Sequence, residues 1–365
     1  MLHERRLPQA EFDDLNKVYR FKLALLDWLL RTPPADLSTK DLLLQRFGEP
    51  LANWLWVRIR QPANRTQFGR TVDALVIRAR AEPAIATLVA DSIQHDAEFH
   101  MKWDEAGFEL QFPRLHPDWL GAVSNLAGNF YDWLADKGFD SKTFGLAGAT
   151  LTRSKIMQAF RPQSHRVCGY CDGPLGDVGT EAEANDCDHF FPKSQWPHLA
   201  IHPANLYSAC KGCNSTWKLA KAPMGKADVP GLSETYHPML RPGVGRVLVT
   251  AIESPATPRR IAIRFSDAEV PQRATTLVAT LDLAARWGND VNQQLDGGIS
   301  TLVAKSARDK GLGRHSTADS VRELIQDDIV WKREHLGKEE RTMRLAAVLQ
   351  YQLDQHIPDI IAELA

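Results

Sequence analysis

Cys168-Gly-Tyr-Cys171 and Cys210-Lys-Gly-Cys213 are the two stretches on which the reading of this chain turns. Each is a Cys-x-x-Cys knuckle, and together they hold four of the five cysteines in the chain. Four thiolates suit a tetrahedral Zn²⁺, and a shell closed by four cysteines leaves no position for water. This zinc is therefore expected to hold the fold and to do no chemistry. A redox pair is the rival reading. It asks for one knuckle beside a βαβ unit, which the surroundings do not offer. Between Arg161 and Pro223 glycine, proline, cysteine, histidine and asparagine crowd together, and helical periodicity vanishes until after Cys213. That is the composition of a small, loop-rich module stapled by metal.

Between the knuckles lie Asp188-His189-Phe190-Phe191-Pro192-Lys193 and Asn205-Leu206, and the second knuckle is followed at once by Asn214 and then by Lys218. Asp188 and Asn214 offer hard oxygen ligands that suit Mg²⁺ or Mn²⁺. If Asp188 and His189 share a strand, their side chains point to opposite faces. A neutral imidazole near pH 7 is a suitable base for activating water. Lys218, four residues after Asn214 and on the same helix face, is placed to meet a phosphate.

The order of knuckle, Asp-His before an apolar pair and proline, Asn-Leu, then a second knuckle followed by asparagine resembles the HNH endonuclease family. The third family position, often histidine, is Asn214 here. The resemblance implies a ββα-metal fold: a strand pair carrying Asp188 and His189, a loop carrying Asn205, and a helix beginning near the second knuckle. It implies hydrolysis of DNA phosphodiester bonds to leave a 5′ phosphate, with His189 as general base and Asn205 fixing the histidine loop. Asp188 and Asn214 would hold the catalytic divalent ion. HNH modules set in helical frames resemble nucleases of bacterial defence against phage. The alternatives are a catalytically silent, zinc-stabilised nucleic-acid-binding or scaffold protein, and an RNA nuclease on the same site.

The remaining polar residues of the module read more plainly. His198 and His202 are loop histidines, solvated or packed, with assistance to metal or phosphate as the other reading. His165 reads as structural. Cys187 is not needed by the four-thiolate shell and reads as a small buried residue. Asp186 is either surface charge or a group behind the metal ligands.

Outside the module the expected class is mainly α. Glu11 to Leu30 has apolar residues at helical spacing and stops at Pro33-Pro34. A second helix is expected from Ser38, as cap, to Gly48. Further helices are expected over Ala74 to Ile93, Pro117 to Gly138 and Gly145 to Phe160, with a short strand through Phe108, Leu110 and Phe112. After the module, Arg246 to Ile252 and Arg260 to Phe265 alternate like a hairpin. Helices follow over Pro271 to Leu295, Ile299 to Lys310, Thr317 to His335 and Glu339 to Leu353. The domains expected are a helical part over 1–160, the nuclease module over 161–225, and a hairpin with helices over 226–365. The tryptophans read as core anchors, with partner contacts as the alternative.

The formal net charge is −1, so any nucleic-acid surface must be local. Candidates are Arg58 to Arg60, Arg65, the stretch from Arg70 to Arg80, and a run with Lys305, Arg308, Lys310 and Arg314. Solvated helix faces are the ordinary reading of such runs. Met1 to Arg20 mixes both signs of charge without an apolar stretch, and no segment has the roughly 18 apolar residues of a membrane span. A cytoplasmic protein is expected, with DNA as partner, a regulatory protein as a further candidate, and no membrane.

Overall fold

The computed structural model of the chain describes residues 4–35, 39–60, 67–160, 168–171, 173, 175, 185–222, 232–243, 245–253, 261–267, 269–293 and 330. Helix dominates, and the helices are gathered at the N-terminal side: α1 (Gln9–Arg31), α2 (Asp41–Phe47), α3 (Glu49–Arg60), α4 (Gln67–Ala81), α5 (Pro83–Ala97) and α6 (Leu120–Ala135).

The apolar residues of α1 extend beyond one stripe. Leu15, Val18, Leu25, Leu26 and Leu29 are wholly enclosed, and α1 packs on both α4 and α5. A helix surrounded in this way carries polar residues inward, and each must find a partner. Asp14 accepts the backbone N–H of Ala147 at 2.8 Å and of Gly148 at 3.3 Å, which pins the turn after α7 (Ser141–Phe144). Lys22, fully buried, donates to the His198 carbonyl at 2.6 Å.

Helix boundaries follow backbone chemistry. The helical pattern expected over Ala74 to Ile93 is carried by two helices, because Pro83, with no amide hydrogen and a fixed φ, is tolerated only in a first turn and opens α5. Gly48, at φ 76°, separates α2 from α3. Gly69 permits a close approach of α4 to α3, since a Cβ there would collide with the Ile59 carbonyl oxygen. Ser38, the expected cap, lies outside the described residues, and α2 begins at Asp41. Trp54 sits in an aromatic cluster with Trp133 at 5.0 Å and Phe144 at 5.2 Å, as core anchors do.

Two expectations fail. Phe108, Leu110 and Phe112 are buried as alternation predicts, but they form no strand. Among the described residues no strand pairs with this stretch; the Asp96 carboxylate accepts from Gln111 at 2.7 Å and from Phe112 at 2.9 Å, and Phe108 donates to the Glu105 carbonyl at 3.2 Å. Gly145 to Phe160 is helical only in α8 (Arg153–Ala159), capped by the Thr152 hydroxyl. The part before it is the turn held by Asp14 and a two-residue strand, β2 (Thr150–Leu151), paired with β1 (Phe139–Asp140).

The strands that matter most are β3 (Asn185–His189) and β4 (Leu206–Cys210), antiparallel, with Asp188 opposite Tyr207 and His189 opposite Leu206. A helical turn at 211–212 passes into a π-helical segment, Cys213–Lys218. The expected hairpin is present as β5 (Val247–Glu253) and β6 (Ile261–Asp267). α9 (Pro271–Leu281) ends where Asp282 takes φ 48°, and helix resumes over 283–293. The helices expected beyond Leu295 lie outside the described residues, apart from Val330, which is helical.

One apolar core runs from Leu7 to Val291 and takes in Phe190, Phe191 and Leu199. Phe191 meets Phe99 at 5.1 Å and Phe190 meets Trp103 at 5.6 Å, edge to face. Burying a ring of this size contributes about 2–3 kcal/mol, so these two phenylalanines dock the strand pair on the helical frame. The domain boundaries expected after residues 160 and 225 fall at 161–167 and 223–231, outside the described residues. No helix among the described residues is long and apolar enough to cross a membrane.

Candidate metal centre and histidine site

The four knuckle cysteines converge. The sulfurs of Cys168, Cys171, Cys210 and Cys213 all lie within 4.8 Å of one another, and Cys171 and Cys210 are 3.9 Å apart. Tetrahedral zinc with Zn–S bonds of about 2.3 Å places its sulfurs about 3.8 Å apart, whereas a disulfide needs about 2.05 Å. Backbone amides point at the sulfurs: Tyr170 and Cys210 donate to Cys168 at 3.4 and 3.3 Å, and Cys213 donates to Cys210 at 3.4 Å. Arg286, from the helix over 283–293, donates to Cys213 at 3.3 Å. Donors aimed at sulfur favour thiolates, so these residues fit a structural zinc. Cys187 stands apart from this cluster, partly buried against the core.

β3 joins this centre to a second one. Alternation along the strand puts Asp186 and Asp188 on one face and Cys187 and His189 on the other. On the first face, Asp188 is almost completely buried. It accepts from the Tyr170 hydroxyl at 2.5 Å, and the Lys218 ammonium lies 3.2 Å away. Burial raises the pKa of Asp188 and lowers that of Lys218, and in each case the partner's charge opposes the shift. Lys218 is thus a buried ion-pair partner here, where the sequence places it against phosphate. Asn214 does not meet Asp188. Its amide donates to Asp186 at 2.9 Å, and the Ser215 hydroxyl reaches the same oxygen at 3.3 Å. The donor chemistry of Asp186, Asp188 and Asn214 suits a hard divalent ion. The expected pair of Asp188 with Asn214 is nevertheless engaged in two separate contacts.

On the other face, His189 closes β3. Its Nε2 lies 2.9 Å from the Ala200 carbonyl oxygen, and its ring meets Tyr131 of α6 at 4.6 Å. A carbonyl can only accept, so Nε2 carries the hydrogen and Nδ1 holds the lone pair. Burial, and then the charges of Lys218 and Lys193, push its pKa down to about 3, so the imidazole is neutral at pH 7.

The loop that carries Ala200 is held from three directions. Asn205, wholly buried at the end of the 3-10 turn Pro203–Asn205, accepts from the Phe191 amide at 2.7 Å. It donates to the Phe191 and Leu199 carbonyls at 3.1 and 2.9 Å. These bonds tie the Phe191 and Leu199 backbones together across the loop. His198 lies 3.1 Å from the Asp96 carboxylate while Lys22 takes its carbonyl. His202 accepts from the Ala204 amide at 3.0 Å. Both histidines are buried and packed, and both are kept towards the neutral form by burial. His165 lies outside the described residues.

Sequence reasoning missed three residues: Tyr131 beside His189, and two cations set against Tyr131. Tyr131 comes from α6, and the Arg153 guanidinium, at the start of α8, lies against the Tyr131 hydroxyl. Lys193 sits 4.3 Å above the Tyr131 ring. Only Lys193 had a signal, its place five residues after Asp188. Against protein-family models, curated proteins and solved structures, the chain finds no match.

Proposed function

We propose that this chain is a metal-dependent endonuclease of HNH type that hydrolyses DNA phosphodiester bonds. The observation that carries the reading is the His189 tautomer. With Nε2 committed to Ala200, Nδ1 is left as a neutral acceptor, oriented by Tyr131 and by a loop that Asn205 and Asp96 hold rigid. A base so placed takes the proton from water as the water attacks phosphorus, once the negative charge of the bound phosphate raises its pKa from about 3 towards neutrality. The ββα reading is supported by the antiparallel β3 and β4 and by the helical segment that follows at the second knuckle. Mg²⁺ or Mn²⁺ on the oxygens of Asp186, Asp188 and Asn214 would supply charge stabilisation of the phosphate and the leaving oxygen. The zinc centre fixes the Cys210 end of the strand pair.

One observation favours a second reading. Lys218 already neutralises Asp188 at 3.2 Å, which suits a module that binds nucleic acid without cutting it. The test is cleavage of supercoiled plasmid by the zinc-loaded full chain with Mg²⁺ or Mn²⁺, beside His189→Ala and a chelator control. The nuclease reading expects relaxed or linear product, slowed about 10²–10⁴-fold by His189→Ala. Cleavage by His189→Ala at the unaltered rate would remove the assigned mechanism. Plasmid binding without cleavage selects the second reading, and preference for an RNA oligonucleotide selects an RNA nuclease.

A further inference from the structure

A chain with a net charge of −1 must concentrate its positive charge if it is to hold DNA, and several arginines of the N-terminal helices are already engaged elsewhere. Four of those arginines are used within the fold, Arg70 is exposed, and Arg65 and the run with Lys305, Arg308, Lys310 and Arg314 lie outside the described residues. Arg58 stacks 3.7 Å over Trp54, Arg60 pairs with Asp73 at 3.3 Å, and Arg80 donates to the Ala35 carbonyl at 3.2 Å. Arg78 lies 4.4 Å over Trp119 and donates to the Asp118 carbonyl at 2.8 Å.

Beside His189 the arrangement is different. Tyr131 is a buried plate whose ring touches the imidazole at 4.6 Å. Lys193 sits 4.3 Å over its face and Arg153 lies at its hydroxyl. Both cations are exposed. Among the described residues neither is paired with a carboxylate. Asp186, whose charge Arg153 feels, is occupied by Asn214 and Ser215. Two solvent-facing cations bracket one phenol ring, and that ring touches the imidazole whose Nδ1 is open. Exposed cations without a carboxylate partner, gathered on one ring beside a base, are what a phosphodiester backbone requires, since phosphate contacts set register and orientation.

We propose that Arg153 and Lys193 grip the DNA phosphates on either side of the bond presented to His189, with Tyr131 as the positioning residue that sets their spacing. The helices α6 and α8 thereby complete a binding surface that the knuckle module does not possess alone. The inference rests on the nuclease reading for its substrate and goes beyond it in assigning the grip to the helical frame.

The experiment measures binding in a His189→Ala background, where cutting cannot interfere. Fluorescence anisotropy of a labelled DNA duplex is followed across a salt series for the full chain, Arg153→Gln, Lys193→Gln and the double variant. Zinc content and melting temperature are matched throughout. Each single change is expected to weaken binding about 3–10-fold and to reduce the slope of log K against log salt by about one. Lys155→Gln, whose lysine donates to the Thr150 carbonyl, serves as an exposed control and is expected to leave both unchanged. In the otherwise unaltered enzyme, Tyr131→Phe is expected to raise KM severalfold with kcat within about twofold, a split that a merely structural role would not give. A double variant with unchanged affinity and salt slope overturns the proposal, even if His189→Ala abolishes cleavage and the nuclease reading stands. If the full chain never cuts but the double variant loses its salt slope, the grip stands and the nuclease reading falls. Equal loss on an RNA duplex bound more tightly than DNA overturns the choice of DNA.

Discussion

The two ends of the β3–β4 pair are held by different physics. At the Cys210 end four sulfurs, all within 4.8 Å of one another, converge on a metal position, and the ligands come from two short knuckles. At the His189 end nothing converges on a point. There the strand is held by rings and hydrogen bonds from α1, α5 and α6, in residues such as Lys22, Asp96 and Tyr131. One end is closed by a few strong bonds made within the module, the other by many weaker ones supplied by the frame. Stability and the geometry around His189 can therefore be damaged separately.

The largest effect should come from the metal end. Structural zinc in small modules contributes about 10–16 kcal/mol of binding free energy, most of it coupled to folding. Cys213→Ser is expected to abolish stoichiometric zinc and the cooperative unfolding of 168–218, while the far-UV helix signal of the N-terminal bundle persists. Metal analysis and thermal melts check this, and an unchanged melting temperature without metal would break the comparison.

The histidine end should respond less in stability and more in activity. Asn205→Ala removes three buried hydrogen bonds around Phe191 and Leu199. The expected loss is about 3 kcal/mol, with zinc retained and cleavage reduced at least tenfold. A variant that lost zinc instead would show that the two ends are one unit.

The smallest effect is a pH dependence confined to the histidine end. His237 packs against Phe190 at 4.4 Å, and its Nδ1 accepts from the Met239 and Leu240 amides, both at 3.1 Å. Burial pushes its pKa down to about 3. The unfolded chain, with histidine near 6.5, then binds the extra proton first, so stability is full above about pH 6.5 and falls as pH drops towards 3. From pH 7.5 to 5.5 this one histidine should cost about 1.4 kcal/mol. Denaturant melts at the two pH values, compared with His237→Gln, check it. An undiminished slope in the variant would assign the acid sensitivity elsewhere.

Much of the metal end was legible because its signal is local. Knuckle spacing, the alternation that separates Asp188 from His189, and the hairpin over Val247–Glu253 and Ile261–Asp267 all depend on neighbours a few residues apart. The failures were non-local. Phe108 to Phe112 alternates like a strand, yet a strand also needs a partner, and the Asp96 carboxylate took two of its amides. Asn214 and Lys218 read together as phosphate and metal residues, but the π-helical turn after Cys213 sends one to Asp186 and the other to Asp188.

By itself the sequence determined the four cysteines that converge, the mainly helical class, and the type and order of the residues around His189. Ligand chemistry and short-range periodicity need no knowledge of distant contacts. Only the tertiary structure decided which nitrogen of His189 is free, that Tyr131 from the helical frame stands beside it with Arg153 at its hydroxyl, and that Arg58, Arg60, Arg78 and Arg80 are engaged within the fold. Those properties depend on which distant side chain fills each space left by packing.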